Sequence, residues 1–487
     1  MEGLEQGMAM CRRFAAVAAF AVLAWTAVGA AKPKRWDPAL GPDPAHEYEV
    51  TVDGRKVDLL AVQMIFAEAG AQPVPDWGGV YWAASFPYRP GAEIRVRSLT
   101  ASLRNVQFLP KNRIGHVSTH GDKEVTFASD KPFRVAVERE GRIKPLLIFA
   151  NAEETDLPDF DDPNVIRYKP GVHEVGKLEL SDNQTLYLDY GAILHGGVLA
   201  KGTNITIRGH GVISGARYPR FKGPCGHVLS GQRCRDLKIR DVTVTAPWSW
   251  TFTLFRCDGV KVDGVRVLSS RMINDDAIDI VNSRNVFIRN SFIRAQDDII
   301  AIKGYDVKER LPAERILVED CDMWCDRANV FRIGYECDAA YMDKIAARNL
   351  EILHVTSEHE PWKGEWPHAV FWLQPSGGMP MGRLRFENVH VNLDGYDTHL
   401  VIANPRIVRF GEPPYSCGGS VSNVVFRNIT ADGDRRGRCL TVLAGRSPSE
   451  NVQDVTLENV RVFGKPLSER APDVEIGDFV SGVVFKP

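Results

Sequence analysis

Three segments of the sequence repeat one pattern: VKVDGVRVL at residues 260–268, VFIRNSFI at 286–293 and ILVEDCDM at 316–323. The segments begin 26 and 30 residues apart, a period typical of a solenoid. Each contains two short alternating strands around Asn, Asp or Gly, which predicts one coil of a right-handed parallel β-helix. Further segments extend the prediction to about nine coils. They are ITIRGHGVI from Ile205, LKIRDVTV from Leu237, LRFENVHV from Leu384, VVFRNITA from Val424 and VTLENVRV from Val455.

The bend inside each repeat is often Asn, which tolerates a left-handed backbone and can hydrogen-bond its equivalent on the next coil. We expect one such row to have a structural role, formed by Asn290, Asn349, Asn388, Asn428 and Asn459.

The composition is that of a globular protein, with 487 residues, 44% hydrophobic and 25% charged. Sixty basic residues against 62 acidic ones give a net charge of −2, so no basic excess is present to bind phosphates. The composition excludes wholesale disorder and argues against a nucleic-acid partner.

The N-terminal segment is the one long apolar run. Residues 14–31 carry no charge, follow Arg12 and Arg13, and end in small residues. This pattern predicts a signal peptide over residues 1–31, a secreted or periplasmic protein, and no stable membrane insertion after signal cleavage. An uncleaved anchor is the alternative, because the run is just long enough to span a bilayer.

Two domains are predicted after the signal. Residues 46–155 contain short alternating runs such as EYEVTVDGRKVDLL separated by turns, which indicates a small antiparallel β-sandwich. An acidic connector, NAEETDLPDFDDPN, follows at 151–164. The β-helix is assigned to 160–487, so the predicted fold class is all-β, a parallel β-helix preceded by a β-sandwich.

The cysteines allow two interpretations. Eight lie beyond the signal, and an even number in an exported protein permits disulfides. Buried free thiols are equally consistent with the sequence. The eight are Cys225, Cys234, Cys257, Cys321, Cys325, Cys337, Cys417 and Cys439.

Residues 274–304 contain the richest cluster of carboxylates. Asp276 precedes Asp298 by 22 residues, nearly one coil, so both are expected at equivalent positions on coils about 4.8 Å apart. Crowding raises the pKa of one member of such a cluster, and a proton donor beside an ionised base is what glycosidic cleavage needs. Solvated bend residues or a calcium site are the alternatives.

This block resembles the polygalacturonase family, glycoside hydrolase family 28, and the similarity covers roughly residues 165–465. That family has an Asn-Thr-Asp and a Gly-Asp-Asp on a pectin-lyase-like single-stranded β-helix; here they read Asn274-Asp275-Asp276 and Gln296-Asp297-Asp298. The resemblance implies that Asp297 is the general acid. It also implies that Asp276 and Asp298 activate water, with inversion at the anomeric carbon.

The sequence departs from the family at two motifs. Ala328-Asn329-Val330 stands where the family has Gly-His-Gly, and residues 350–360 lack the Arg-Ile-Lys that holds an acidic sugar. Lys303 or Arg332 would then contact a substrate carboxylate, or serve as ion-pair partners. The predicted substrate-binding residues near the acids are Asn274, Asp275, Asp279, Lys303, Asn329 and Arg332.

The order of sandwich and helix is similar to the dextranase and isopullulanase family, glycoside hydrolase family 49, which acts on neutral α-glucans. Sugars stack on aromatic faces, so Trp362 and His368 are predicted substrate-binding residues in an excursion that also holds His359, Trp366 and Trp372. The segment Pro247-Trp248-Ser249-Trp250 lies one coil before Asp276 and is a second candidate for the lining of the same cleft.

The sequence therefore predicts an exported glycoside hydrolase acting on a polysaccharide or oligosaccharide, without cofactor or metal. One alternative is a calcium-dependent polysaccharide lyase, in which Arg332 or Lys303 abstracts a proton. The other is a non-catalytic carbohydrate-binding protein.

Overall fold

The computed structural model describes residues 47–64, 80–305, 308–356, 368–407 and 416–487, and all regular structure in these ranges is β. The predicted signal peptide lies outside them. No helix in the described part is long and apolar enough to cross a membrane.

The N-terminal part is a sandwich of two five-stranded sheets, ordered β2-β1-β5-β8-β7 and β3-β4-β10-β9-β6. The strands are β1 (Tyr48–Val52), β2 (Arg55–Val57), β3 (Leu59–Gln63), β4 (Val80–Pro87), β5 (Ile94–Ser98), β6 (Gln107–Leu109), β7 (Val117–His120), β8 (Glu124–Phe127), β9 (Phe133–Glu138) and β10 (Leu146–Asn151). In β5, alternate residues are buried and exposed, as the sequence pattern predicts. One pair departs from the predicted antiparallel arrangement, because β4 and β10 run parallel.

The rest of the chain forms the predicted right-handed parallel β-helix. The predicted domain limits at residues 155 and 160 fall in the segment between β10 and β11. The strands are β11 (Val165–Tyr168), β12 (Gly171–Leu180), β13 (Thr185–Leu188), β14 (Ala192–Ala200), β15 (Thr203–Gly209), β16 (Val212–Ser214), β17 (Leu229–Gln232), β18 (Arg235–Arg240), β19 (Thr243–Thr245), β20 (Phe252–Phe255), β21 (Asp258–Asp263), β22 (Arg266–Leu268), β23 (Ile278–Val281), β24 (Arg284–Arg289), β25 (Phe292–Ala295), β26 (Ile300–Tyr305), β27 (Ala313–Glu319), β28 (Asp322–Cys325), β29 (Phe331–Asp338), β30 (Met342–Val355), β31 (Ala369–Gln374), β32 (Pro380–Asp394), β33 (Thr398–Ala403), β34 (Ser420–Asp434), β35 (Cys439–Leu443), β36 (Val452–Val462), β37 (Lys465–Pro466), β38 (Val474–Ile476), β39 (Val480–Ser481) and β40 (Val484–Lys486).

Parallel pairing between coils creates three ladders of strands. The first ladder is β15-β18-β21-β24-β27-β30-β32-β34-β36. The second contains β16-β19-β22-β25-β28 and continues into β30, and the third is β17-β20-β23-β26-β29-β31-β33-β35-β38. Inward-facing Leu, Ile, Val and Phe of all three ladders fill one continuous core.

The predicted Asn row is confirmed at the bend between the first and second ladders. Asn388 has a φ of 56° and donates its side-chain amide to Asn349 over 3.0 Å. It accepts the same bond from Asn428, which in turn accepts one from Asn459. Asn290 is bonded instead to Asp263. Left-handed backbone is costly for most residues, so Asn combines a tolerated conformation with a hydrogen bond between coils.

None of the eight described cysteines forms a disulfide, and six of them are buried. Among the described residues, this outcome favours the interpretation as core thiols over the disulfides.

The sandwich packs on the outer face of the second ladder. Its Tyr81 and Phe149 belong to an apolar cluster with Leu268, Phe292 and Trp324 of the helix. Polar contacts border this cluster. Arg113 and Arg134 of the sandwich both pair with Asp322 over 2.8 Å. The sandwich therefore supports the strands that lead into the bends described next.

Candidate active site

The acidic bends, residues 269–277 and 296–299, connect the second ladder to the third on two adjacent coils. Ile278 pairs with Ile300, so Asp276 and Asp298 occupy equivalent positions, as the 22-residue spacing predicts. The backbone amide of Ala277 donates to the carbonyl of Asp298 over 2.8 Å. The pairing continues to the following coil, where the backbone amide of Ile299 donates to the carbonyl of Asn329.

Asp276 is almost completely buried and pairs with a lysine. Lys303 Nζ lies 2.8 Å from Asp276 Oδ2 and 2.9 Å from Asp279 Oδ1. Burial raises the pKa of Asp276, and the Lys303 ammonium opposes that rise. Burial also raises the pKa of Asp279 to about 7. Asp279 and Lys303 face out of the helical core but are buried, so their contacts are with each other and not with open solvent.

Asp297 is the most exposed of the three predicted catalytic residues, and it is half-buried. Its Oδ2 accepts the backbone amide of Asn274 over 3.1 Å, and its Oδ1 accepts that of Asp298 over 3.1 Å. The side chain is therefore oriented by the two acidic bends together. Asn274 itself accepts a hydrogen bond from Arg220 over 3.0 Å.

Asp298 is held from the next coil. The side-chain amide of Asn329 donates to Asp298 Oδ1 over 2.6 Å, and the Asn329 carbonyl oxygen accepts the backbone amide of Ala369 over 2.9 Å. Burial and the charge of Asp297 raise the pKa of Asp298 to about 6, while Arg332 and Asn329 act in the opposite direction.

Asp275 differs from its prediction as a substrate contact. It is completely buried, and its Oδ2 accepts hydrogen bonds of 2.7 Å from Ser269 Oγ and from the backbone amides of Ser270 and Arg271. Its Oδ1 accepts the amide of Gln296 on the next coil. Asp275 therefore fixes the shape of the bends, and burial raises its pKa to about 7.

The two predicted cationic contacts are also occupied within the protein. Lys303 pairs with two carboxylates, as described above. Arg332 is buried, donates to Gln374 Oε1 over 2.6 Å and stacks on Trp372 at 3.9 Å. Trp372 is fully buried and packs in the coil. Neither Lys303 nor Arg332 presents an open charge for a substrate carboxylate in this arrangement.

The aromatic predictions have mixed outcomes. His368 is half-buried at the start of β31, and its carbonyl accepts a hydrogen bond from His399. Trp248 is buried, whereas Trp250 is half-buried and stacks on His227. Trp362, His359 and Trp366 lie outside the described residues.

Sequence reasoning missed the support beneath the acidic bends. Asp326 is fully buried, pairs with Arg294 at 2.7 Å, and accepts a hydrogen bond from Ser270 Oγ. Tyr81 of the sandwich donates to the carbonyl of Ser269 over 3.0 Å. Nothing in the local sequence connects Tyr81 to a bend 188 residues away.

Asp276, Asp297 and Asp298 each offer one oxygen atom within 4.8 Å of the others. They are thus brought together as predicted. A cavity of about 960 Å³ lies elsewhere, along the Asn row beside the sandwich, and none of the three lines it. The site is therefore identified by the chemistry of the carboxylates and not by this cavity.

Comparisons with known proteins concern the fold and the segment that holds the acidic bends. Residues 199–319 match the model of glycosyl hydrolases family 28, and this match includes both acidic bends. No curated protein sequence matches the chain. Dex49A from Penicillium minioluteum has a similar structure, with a TM-score of 0.63 and 12% identity over 90% of this chain and 95% of that one.

A family 28 exopolygalacturonase from Yersinia enterocolitica is also similar, with a TM-score of 0.51 and 12% identity over 91% of this chain and 94% of that one. At such identities the structures establish the fold. The match to the family model over residues 199–319 confirms the resemblance predicted from the acidic bends and supports a glycosidase.

Proposed function

We propose that the chain is an exported glycoside hydrolase that cleaves O-glycosidic bonds of a polysaccharide or oligosaccharide, with Asp276, Asp297 and Asp298 as its catalytic residues. The proposal rests on one observation above all, the convergence of three carboxylates from two coils on one point. Buried carboxyl groups next to each other differ in protonation, which supplies an acid and a base in one place.

In the proposed reaction, Asp297 donates a proton to the glycosidic oxygen as the bond to the anomeric carbon breaks. Its greater exposure favours this role, because a leaving group must reach it. Water attacks the anomeric carbon, and its proton passes to the carboxylate pair Asp276 and Asp298. The products are two sugar fragments, one with a new reducing end.

Inversion is part of the proposal because of the family resemblance. Two-carboxylate inverting enzymes usually have separations of about 6.5–9.5 Å, and retaining enzymes about 5–5.5 Å. The oxygens here lie within 4.8 Å, so the spacing does not argue for inversion. The anomeric configuration of the first product, followed by proton NMR, decides the matter, and retention would overturn this part.

Reducing-end release from a panel of neutral and acidic glycans tests the proposal. We expect Asp297→Asn to lower kcat at least about 100-fold, because it removes the acid. Asp58→Asn, at an exposed position of the sandwich, is the matched control and should keep full activity. Full activity in Asp297→Asn would refute the assignment.

The same assays separate the two alternatives. A lyase would yield unsaturated products that absorb ultraviolet light and would be inhibited by a chelator. A binding protein would retain glycan affinity in Asp297→Asn and release no reducing ends. The ion pair of Lys303 with Asp276 already supplies a cation to this cluster, which favours hydrolysis without a metal ion.

A further inference from the structure

Lys303 is the one positive charge that the described structure places in direct contact with a proposed catalytic carboxylate. Its side chain extends from β26 toward the preceding coil and ends between Asp276 and Asp279. Its ammonium also lies 3.7 Å from the centre of the Trp250 ring. The side chain is only 4% exposed, so a substrate group has little access to it.

The contact is specific to one oxygen of Asp276. Lys303 Nζ bonds Oδ2 over 2.8 Å, which leaves Oδ1 as the atom for another partner. Asp279 is completely buried, and its Oδ1 forms an ion pair with the same ammonium at 2.9 Å, which helps to fix the position of Nζ. A buried carboxylate is costly without a counter-ion, and this arrangement supplies one to Asp276.

We propose that Lys303, held by Asp279, is a positioning residue that keeps Asp276 ionised and directs its Oδ1 toward the attacking water. The proposal rests on the function proposed above and deepens it. It replaces the expectation that Lys303 contacts the substrate. Trp250 completes the arrangement, because its ring face stabilises the ammonium where water is excluded.

Other charges surround the ammonium and act on it from each neighbouring element. Burial lowers the pKa of Lys303, but the carboxylates outweigh this and raise it well above its usual value. Burial lowers the pKa of His227 to about 4, and the Lys303 charge also lowers it. The titratable groups that interact with it are Asp276, Asp279, Asp298, Tyr305, Tyr335, Glu336 and His227. Most are acidic, so removing Lys303 leaves a strongly negative pocket.

The test compares Lys303→Met with Lys303→Met/Asp279→Asn and with Lys303→Arg. We expect Lys303→Met to lower kcat at least about 10-fold at neutral pH with little change in KM, because Asp276 becomes protonated more readily. The acid limb of its pH–rate profile should move upward by about one pH unit or more. Removing the second carboxylate should move the limb back toward the wild type.

Lys303→Arg keeps the charge and should retain more activity than Lys303→Met, which separates charge from side-chain volume. Lys261→Met, an exposed lysine on β21, is the matched control. Thermal unfolding of each variant verifies that it is folded, and the double variant carries no extra net charge relative to the wild type.

The outcomes distinguish the two proposals. If the wild type cleaves glycans and Lys303→Met keeps the wild-type pH–rate profile, the positioning role is wrong and the hydrolase remains. If Lys303→Met raises KM and Asp279→Asn restores nothing, Lys303 contacts substrate and the positioning role is again wrong. If the wild type cleaves no glycan, the proposed function fails and the positioning role fails with it.

Discussion

In the proposed reaction, the buried side chain of Asp298 sets the working pH range of the site. Burial and the neighbouring Asp297 raise its pKa to about 6, whereas Arg332 and the Asn329 amide favour its ionised form. A base with such a pKa is ionised at neutral pH and still accepts a proton readily. Because Asp276 and Asp298 interact, the measured pH dependence reports the pair.

We expect kcat/KM to fall as the pH is lowered through about 6, because the carboxylate base becomes protonated. Asn329→Ala removes the 2.6 Å hydrogen bond that favours the ionised form, so the midpoint should move to higher pH. Pre-steady-state or steady-state rates at constant ionic strength measure this. An unchanged midpoint in Asn329→Ala, with Asn451→Ala as the remote control, would contradict the role of this bond.

At the scale of an element, the Asn row combines two structural roles. Each coil bends between the first and second ladders, and left-handed residues such as Asn388 form this bend. Strands β30, β32, β34 and β36 each extend across the bend, and their Asn amides bond from coil to coil there. The row thus provides both the left-handed backbone of the bend and the hydrogen bonds that hold successive coils together along the helix axis.

Asn388→Ala should destabilise the protein by about 2–3 kcal/mol, from the left-handed backbone and two lost hydrogen bonds. Asn388→Gly keeps the conformation and should cost about 1–2 kcal/mol less than Asn388→Ala. Urea unfolding followed by circular dichroism compares the two. Equal losses in both variants would show that the backbone conformation contributes nothing.

At the scale of the whole molecule, His354 connects the sandwich to the helix. Its Nε2 lies 2.7 Å from Glu138 of the sandwich, and its Nδ1 lies 2.7 Å from Asp394. Burial lowers the pKa of His354, but these two carboxylates outweigh it and raise the pKa to about 10. The protonated ring also packs on Trp324. Its charge therefore contributes an ion pair to the interface between the sandwich and the helix.

A histidine with a raised pKa stabilises the folded state fully below its unfolded pKa of about 6.5, and this contribution disappears as the pH approaches 10. We therefore expect the free energy of unfolding to fall by an amount on the order of 3 kcal/mol between pH 7 and 10, and Tm to fall with it. Calorimetric scans of wild type and His354→Gln measure the effect. A variant as pH-sensitive as the wild type would exclude His354 as the cause.

The sequence was sufficient for the coils and their register, because apolar alternation and bend residues are local signals. Asp276 and Asp298 were therefore placed correctly on adjacent coils. The burial of the residues around them could not be predicted from the sequence. Asp275 and Lys303 resemble surface residues in the sequence, yet contacts with other bends bury them. The pairing of His354 with Glu138 spans 216 residues, and no local pattern records it.

In the parallel ladders, residues that are neighbours in space can be separated by different numbers of residues along the chain. Phe252 and Ile278 are neighbours across 26 residues, whereas Phe331 and Phe371 are neighbours across 40. The longer connection leaves the register of the ladder unchanged. Evolution can therefore change the number of residues in a coil without displacing the paired positions that carry the carboxylates. Substrate preference in such a molecule is free to diverge while its reaction chemistry is inherited unchanged.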